Sequence, residues 1–232
     1  MNSPSQIFDT NLLSQRRARF KEEDKVDFLQ KFFIKNTIER LNDLNREYKS
    51  VGILTDFYNL WRENFDFKNI EKIENREIFN IKPNHFDLII STFCIHWSND
   101  PIGHIIQLKN GLKKDGLLLI FLLGGQTLKE LKLIFNVLDK KRKINFSSKI
   151  APMADIKDYG KLLLRAGLAL PVADNFILNV EYTNLLNFFK DLRKMGETNI
   201  CFERKINCIS NCNHLFCLEC ILNWLKKKHE CP

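Results

Sequence analysis

The cysteines of this chain are concentrated near its C-terminal end. Six of the seven lie in the last 32 residues, and only Cys94 stands apart from them. The stretch "CNHLFCLEC", residues 212 to 220, holds three cysteines and one histidine in nine positions. Thiolate and imidazole groups in sets of four are the ligands that Zn²⁺ prefers. Because the N-terminal residues contain no apolar run of the kind that a secretory signal needs, we expect reduced thiols that bind metal rather than disulfides.

The order of these residues resembles that of a RING finger, whose eight ligands bind two zinc ions in a cross-braced arrangement. The resemblance covers about the last 35 residues, "TNICFE" onwards. Thr198 stands where the family has its first ligand, and the eighth ligand would follow Pro232. Cys208 could complete the first site, and His229 or the terminal carboxylate the second. The ligands that the resemblance implies are Cys201, Cys212, His214, Cys217, Cys220 and Cys231.

The same resemblance implies a surface for a protein partner. In intact RING fingers, an apolar residue between the first two ligands, a helical Trp and the Pro after the seventh ligand together bind a ubiquitin-conjugating enzyme. Ile200, Trp224 and Pro232 stand at these positions. Two alternatives remain at this stage: the three residues cover a small core stabilised by metal, or the tail does not fold.

A second group of chemically capable residues is "STFCIHWSND", residues 91 to 100, which follows the short apolar run "FDLII". Such runs are typical of strands buried on both faces of a sheet, and open α/β sheets bind ligands beyond the carboxyl ends of their strands. We therefore predict that Ser91 and Thr92 line a pocket and that His96 and Trp97 act in it, with His96 as a base or an orienting group. The alternative is that His96 is a hydrogen-bonded wall residue and Trp97 packs on the next helix. Cys94 is interpreted as a core residue.

The hydrophobic pattern predicts the elements that would position this pocket. Strand, helix and strand in succession over residues 86–123 indicate a right-handed parallel crossover, and hence an α/β sandwich. The helix between the two strands is expected to end at "KKDG". The predicted helices span residues 22–47, 100–116, 126–142 and 155–168, and the predicted strands span 86–92, 116–123 and, near the far edge of the sheet, 174–182.

Residues 86–131, "FDLIISTFCIHWSNDPIGHIIQLKNGLKKDGLLLIFLLGGQTLKEL", resemble S-adenosylmethionine-dependent methyltransferases of the Rossmann-like class. Within it they are most similar to the group containing mitochondrial complex I assembly factor 5 proteins and, more distantly, malonyl-acyl-carrier-protein methyltransferases. "IFDTNLLSQRRARF" (7–20) and residues 147–199 resemble that group's opening and closing segments. The resemblance implies a Rossmann-like methyltransferase sandwich and S-adenosylmethionine as cofactor. It implies a protein substrate or complex I subunit, modified by methylation or by arginine hydroxylation, with a mitochondrial location in a eukaryote and a cytoplasmic one in a bacterium.

The segment that should bind the cofactor departs from the family pattern. The family has a Gly-rich turn after its first strand, whereas "YKSVGILTDFYNLW" (48–61) offers only Gly52, with Asp56 as a candidate acidic contact or a helix cap. The stretch up to Phe86 is also short, which leaves little room for a complete second strand and its acidic tip. We therefore expect an N-terminal helical region (1–50), a methyltransferase-like domain lacking part of its first βαβ unit (51–197) and a partial RING-type zinc finger (198–232). An inactive fused or truncated scaffold is the remaining alternative.

Charge and hydropathy give weaker constraints. The formal net charge is +8, and the basic clusters are interpreted as solvated faces, because no stacking aromatic residues alternate with them as nucleic-acid binding would require. No apolar run approaches the ~20 residues needed to cross a bilayer, so we expect a soluble protein. No Arg- and Ser-rich presequence precedes "IFDTNLL". The basic clusters are Arg16, Arg17 and Arg19, and Lys140, Lys141, Arg142 and Lys143.

Overall fold

The structure, a computed structural model, describes residues 7–142 and 150–199, together with the backbone of two short strands in the tail. The helices are α1 (Thr10–Arg17), α2 (Phe28–Asp43), α3 (Tyr58–Glu63), α4 (Pro101–Gly111), α5 (Lys129–Arg142), α6 (Ile156–Arg165) and α7 (Leu185–Met195), with 3₁₀ turns at Glu22–Asp24 and Ile95–Trp97. The strands are β1 (Ser50–Leu54), β2 (Asn69–Ile73), β3 (Phe86–Thr92) and β4 (Leu112–Phe121), and in the tail β5 (Cys208–Ile209) and β6 (Leu215–Phe216).

The four main strands form one parallel sheet in the order β2-β1-β3-β4. The predicted α/β class with a parallel sheet is confirmed. β3 has the bounds predicted for it, and it is buried along nearly its whole length, as a central strand covered on both faces should be.

The connection from α4 to β4 differs from the prediction. α4 begins at Pro101, where the Asp100 side chain accepts a hydrogen bond from Gly103 N, and it ends at Gly111 rather than at "KKDG". The helix stops early because Leu112 already pairs with Phe86 at the start of β4. "KKDG" instead belongs to an irregular start of the strand, where the register between β3 and β4 shifts and Asp115 has a φ of 63°.

The second strand, for which the sequence left little room, is present. β2 pairs with all five residues of β1, from Ser50 opposite Asn69 to Leu54 opposite Ile73. Residues 74–85 then connect β2 to β3 without a helix.

The predicted amphipathic helix over residues 22–47 is α2, shorter at both ends. Its buried residues Phe33, Ile34 and Leu41 share one apolar cluster with β1 and β3, which is the docking role expected from their spacing. Leu44 was predicted on the same face but is 54% exposed, because the helix ends at Asp43 before Leu44 can turn inward.

The strand predicted over residues 174–182 is wrong, because these residues form no strand. Side chains attach this segment to α2 instead. Phe176 packs edge-on against Phe32 and Phe33, and Asp174 forms an ion pair with Arg40. Within the described residues, β4 therefore remains an edge strand of the main sheet.

In the tail, β5 and β6 pair antiparallel, with Cys208 opposite Phe216. The other predicted zinc ligands lie outside the described residues. Among the helices in the described ranges, none combines the length and apolar character that crossing a bilayer requires.

Candidate functional site

The carboxyl ends of β1 and β3 lie at the point where the order of the strands in this sheet reverses. The chain leaves β1 towards β2 on one side and leaves β3 towards β4 on the other. Open α/β sheets bind ligands where neighbouring strands diverge in this way. The residues that follow these two strands are therefore the first candidates for a site.

The ends of β1 and β3 are joined by hydroxyl groups. Thr92 Oγ1 donates a hydrogen bond to Thr55 Oγ1 at 2.6 Å. Ser91 is completely buried beside this pair, and its Oγ has no hydrogen-bond partner among the described residues. Ser91 and Thr92, which were predicted to line a pocket, therefore lie at this edge of the sheet with both side chains buried.

Gly52 lies elsewhere, inside β1 and two residues before the strand ends. A Cβ at this position would meet Ile73 Cδ1 at 2.7 Å and the Phe86 ring at 3.1 Å. The glycine thus permits close side-chain packing between β1 and its neighbours, and the turn after β1 consists of Thr55, Asp56 and Phe57.

A buried arginine from the other end of the sequence reaches this edge of the sheet. Arg17, at the end of α1, is 6% exposed; its Nη1 lies 2.7 Å from Asp56 Oδ2, and its Nη2 lies 2.9 Å from Glu197 Oε1. Nη2 also donates to the carbonyl of Phe93 at 2.7 Å. Burial alone would lower the pKa of Arg17, but the carboxylates of Asp56 and Glu197 outweigh it and raise the pKa overall. The interpretation of this arginine as a solvated residue is therefore wrong, because two carboxylates compensate its burial.

Glu197, just beyond the end of α7, connects this arginine to the predicted catalytic pair. Its Oε2 accepts hydrogen bonds from His96 Nε2 at 2.9 Å and Trp97 Nε1 at 2.8 Å, while Oε1 accepts from Arg17. Burial acts to raise the pKa of Glu197, yet His96, Arg17 and Trp97 together hold it below its ordinary value. Three donors from two separate parts of the chain thus converge on one buried, ionised carboxylate.

His96 and Trp97 are held by this carboxylate and by aromatic contacts. A carboxylate only accepts hydrogen bonds, so Nε2 of His96 carries a proton in this contact. His96 Nδ1 has no hydrogen-bond partner among the described residues, although the side chain is only 1% exposed. Trp97 packs edge-on against Phe8 at 5.3 Å between ring centroids. Because both side chains are held in place by these contacts, His96 and Trp97 are better suited to positioning a bound molecule than His96 is to transferring a proton.

Cys94 lies next to the arginine but is not a nucleophile. The residue is 3% exposed, and its thiol donates to the carbonyl of Thr92. Burial raises the pKa of Cys94 to about 12, which leaves almost no thiolate at neutral pH. The interpretation of Cys94 as a core residue is confirmed.

A large groove runs along the outer side of β4. Its volume is about 2110 Å³, and its walls come from β4 and from residues 167–182, which are mainly apolar. Ile95 and Glu197 also line it, so the groove extends from the edge strand to the buried carboxylate.

The structure brings five of the predicted site residues to the same edge of the sheet, namely Asp56, Ser91, Thr92, His96 and Trp97. Sequence reasoning missed Arg17 and Glu197, which are 180 positions apart in the sequence. It also missed Glu74, the exposed residue that directly follows β2 and pairs with Arg76. The signal for Glu74 was present, because an acidic residue after a second parallel strand is the family's ribose contact.

Comparison with known proteins confirms the resemblance stated above. The chain is 32% identical over 226 residues to the arginine-hydroxylase NDUFAF5, mitochondrial, of Mus musculus, covering 86% of this chain and 66% of that protein. It is 34% identical over 132 residues to the Danio rerio protein of the same name, covering 57% and 41%. It is 32% identical over 123 residues to the malonyl-[acyl-carrier protein] O-methyltransferase of Gallionella capsiferriformans, covering 53% and 40%. The chain therefore spans less than two thirds of the length of each of these relatives.

Two further similarities complete the comparison. A solved structure of an S-adenosylmethionine-dependent methyltransferase from Thermotoga maritima has a TM-score of 0.45 and 18% identity, covering 67% of this chain and 80% of that one. The family described as "Zinc finger, C3HC4 type (RING finger)" matches residues 199–232, which confirms the RING resemblance of the tail.

Proposed function

We propose, for a methyltransferase-like chain related in sequence to the NDUFAF5 proteins, that residues 7–199 bind S-adenosylmethionine across the carboxyl ends of β2, β1 and β3. The observation that supports this most directly is the register of β2 against β1. Because Leu54 lies opposite Ile73, the next residues, Thr55 and Glu74, come level at the same edge of the sheet. An acidic side chain there suits the ribose hydroxyls of an adenosyl group.

The residues fit the cofactor better at its ribose end than at the turn after β1. Glu74 is exposed, and within the described part of the chain its ion pair is with the equally exposed Arg76, so its carboxylate is available to hydroxyl groups. In the turn, Asp56 and Phe57 carry side chains where the family has glycines, and Asp56 is paired with Arg17. We therefore assign ribose binding to Glu74, a polar contact to Ser91, and orientation of the substrate to His96 and Trp97. Gly52 and Thr92 support the strand ends instead of touching the ligand.

The chemistry that follows is methyl transfer. When bound, the cofactor supplies an electrophilic methyl group, and transfer from a sulfonium mainly requires alignment of the acceptor. The buried cluster around Glu197 supports such alignment, because this one carboxylate accepts hydrogen bonds from the rings of both His96 and Trp97 and so fixes their orientation. The names of the relatives include both an O-methyltransferase and arginine hydroxylases, so the product must be identified by mass as a gain of a methyl group or of an oxygen atom.

The binding test is calorimetric titration of the full chain with S-adenosylmethionine and with S-adenosylhomocysteine. We expect saturable binding that weakens at least about tenfold in Glu74→Gln, because a charge-assisted hydrogen bond is lost. Glu63→Gln, an exposed acidic residue on α3, is the matched control and should bind as the unaltered chain does. Absence of binding at millimolar cofactor would overturn the proposal and favour an inactive scaffold.

A second candidate function belongs to the tail. We propose that it binds zinc, because the RING family matches residues 199–232 and because β5, which contains the candidate ligand Cys208, pairs antiparallel with β6. The test is the zinc content per chain after dialysis. Cys217→Ala should lose zinc, whereas Cys94→Ala, which removes a buried thiol far from the cluster in sequence, should retain it. Equal zinc in both variants would contradict the assignment.

Partner and location follow from the same similarities. We propose that Ile200, Trp224 and Pro232 bind a ubiquitin-conjugating enzyme. The test compares how fast the unaltered chain and Trp224→Ala discharge ubiquitin from a charged conjugating enzyme.

For the methyltransferase-like domain we propose a protein substrate related to respiratory complex I. The matching location is the mitochondrion in a eukaryotic cell and the cytoplasm in a bacterium, which cell fractionation decides.

A further inference from the structure

The carboxylate of Glu197 is bound as a ligand would be bound. Arg17 Nη2, His96 Nε2 and Trp97 Nε1 approach it at 2.9, 2.9 and 2.8 Å. The three donors come from α1 and from the turn after β3, at the carboxyl edge of the sheet. A cationic guanidinium and two ring N–H groups directed at one point form an anion site with the geometry of carboxylate recognition.

Glu197 reaches this site from a weakly packed element. No residue of α7 is buried, and Leu185 and Leu186 are 59% and 72% exposed. The carboxyl end of the helix is held mainly by polar contacts. Arg16 Nη1 donates to Thr198 Oγ1 and to the carbonyl of Asn199, both at 2.8 Å. A helix anchored in this way can move away at a smaller cost than one that buries an apolar face.

The surroundings indicate what could replace Glu197. The residue lines the apolar groove beside β4 and also contacts the three donors, so it lies between them. The unpartnered Nδ1 of the buried His96 adds one further polar atom to the site. A molecule with a carboxylate at one end and an aliphatic chain would match both parts, with its charge at the donors and its chain in the groove.

We propose that Arg17, His96 and Trp97 form a binding site for an aliphatic carboxylate and that the chain's own Glu197 occupies this site until such a ligand displaces it. The proposal deepens the proposed function and rests on it for its catalytic meaning, because it names the chemical class of the group held beside the proposed cofactor site. Glu197 is then an internal competitor that raises the ligand concentration needed for occupancy.

The first test removes the competitor. Glu197→Gly in the full chain is titrated with sodium acetate, sodium octanoate and the neutral octanamide, and the thermal unfolding temperature is recorded. A ligand that binds only the folded chain raises that temperature as its concentration increases. We expect a rise with both carboxylates and none with octanamide. Octanoate should bind at least about tenfold more tightly than acetate, because its methylene groups leave water.

Two controls give the test its specificity. Glu47→Gly makes the same substitution at an exposed loop position outside the groove and should respond to carboxylate no more than the unaltered chain. Glu197→Gly combined with Trp97→Phe removes one of the three donors and should lose most of the response. A folded Glu197→Gly chain, verified by circular dichroism, that is indifferent to both carboxylates overturns the proposal.

The second test shows whether displacement occurs in the unaltered chain. Octanoate should accelerate amide hydrogen exchange of residues 184–199 while leaving α2 unchanged. If exchange stays constant at octanoate concentrations that saturate Glu197→Gly, then Glu197 is a permanent structural group and the proposal is wrong. Neither test uses S-adenosylmethionine, so loss of cofactor binding and loss of carboxylate binding are separate outcomes.

Discussion

Replacing Arg17 with Met tests the buried ionic cluster most directly. The substitution keeps an unbranched side chain of similar length but removes the charge that compensates Glu197 and Asp56. Glu197 is 5% exposed, whereas Asp56 is 29% exposed and keeps contact with water. Breaking a buried pair by removing one partner costs about 3–5 kcal/mol, because the remaining charge is left without compensation. Most of this cost should therefore come from Glu197.

The expected loss is measured as the free energy of unfolding in urea and as a melting temperature. For a domain of this size, about 3–5 kcal/mol corresponds to a decrease of roughly 6–20 °C. Arg19→Met is the control, because Arg19 belongs to the same basic cluster but is exposed; it should change stability by no more than about 0.5 kcal/mol. The double variant Arg17→Met/Glu197→Gln should recover part of the loss, with a coupling energy of about 1–3 kcal/mol. Equal effects of Arg17→Met and Arg19→Met would refute the reasoning.

The remaining predictions concern charge, thiol chemistry and packing. The pKa of Glu197 is lowered in the folded chain, so its ionised carboxylate contributes fully to stability when the pH is above the pKa of about 4.3 that a glutamate has in the unfolded chain. This contribution is lost as the pH falls through the lower pKa of the folded chain. The free energy of unfolding in urea should therefore decrease with falling pH across the acid range, and the part of this decrease that is due to Glu197 should be absent in Glu197→Gln. Cys94, with its pKa raised to about 12, should react with iodoacetamide only after unfolding, as mass spectrometry of the peptide that contains it can show; labelling of Cys94 in the native chain would contradict its burial. Leu108→Ala should cost about 2–5 kcal/mol in urea unfolding, because Leu108 is completely buried and a cavity would remain; a loss below 1 kcal/mol would indicate that the site collapses. Gly52→Ala should cost about 1–3 kcal/mol by overpacking, because the new Cβ would meet Ile73 Cδ1 at 2.7 Å; an unchanged midpoint would mean that Ile73 moves aside freely.

The parts of the fold that follow from local pattern were predictable. β3 has its predicted bounds because a continuous apolar run bounded by polar residues has few alternatives to a buried strand. The apolar spacing in α2 likewise identified Phe33, Ile34 and Leu41 as buried. The predicted strand at residues 174–182 failed for the opposite reason, since its apolar content does not reveal that Phe176 and Asp174 are held by side chains of α2 instead of by the backbone of β4.

By itself, the sequence determined the metal-ligand spacing of the tail, the strand-helix-strand core and the placement of His96 and Trp97 after a central strand, because each depends on residues that are close in the chain. Only the tertiary structure decided that Arg17 and Glu197 meet at that strand's end. Their separation of 180 residues leaves no periodicity to detect, and Arg17 and its neighbours alone look like a solvated basic patch. Burial of a charge is favourable only when opposite charges are brought to it, and those charges are assembled by the fold.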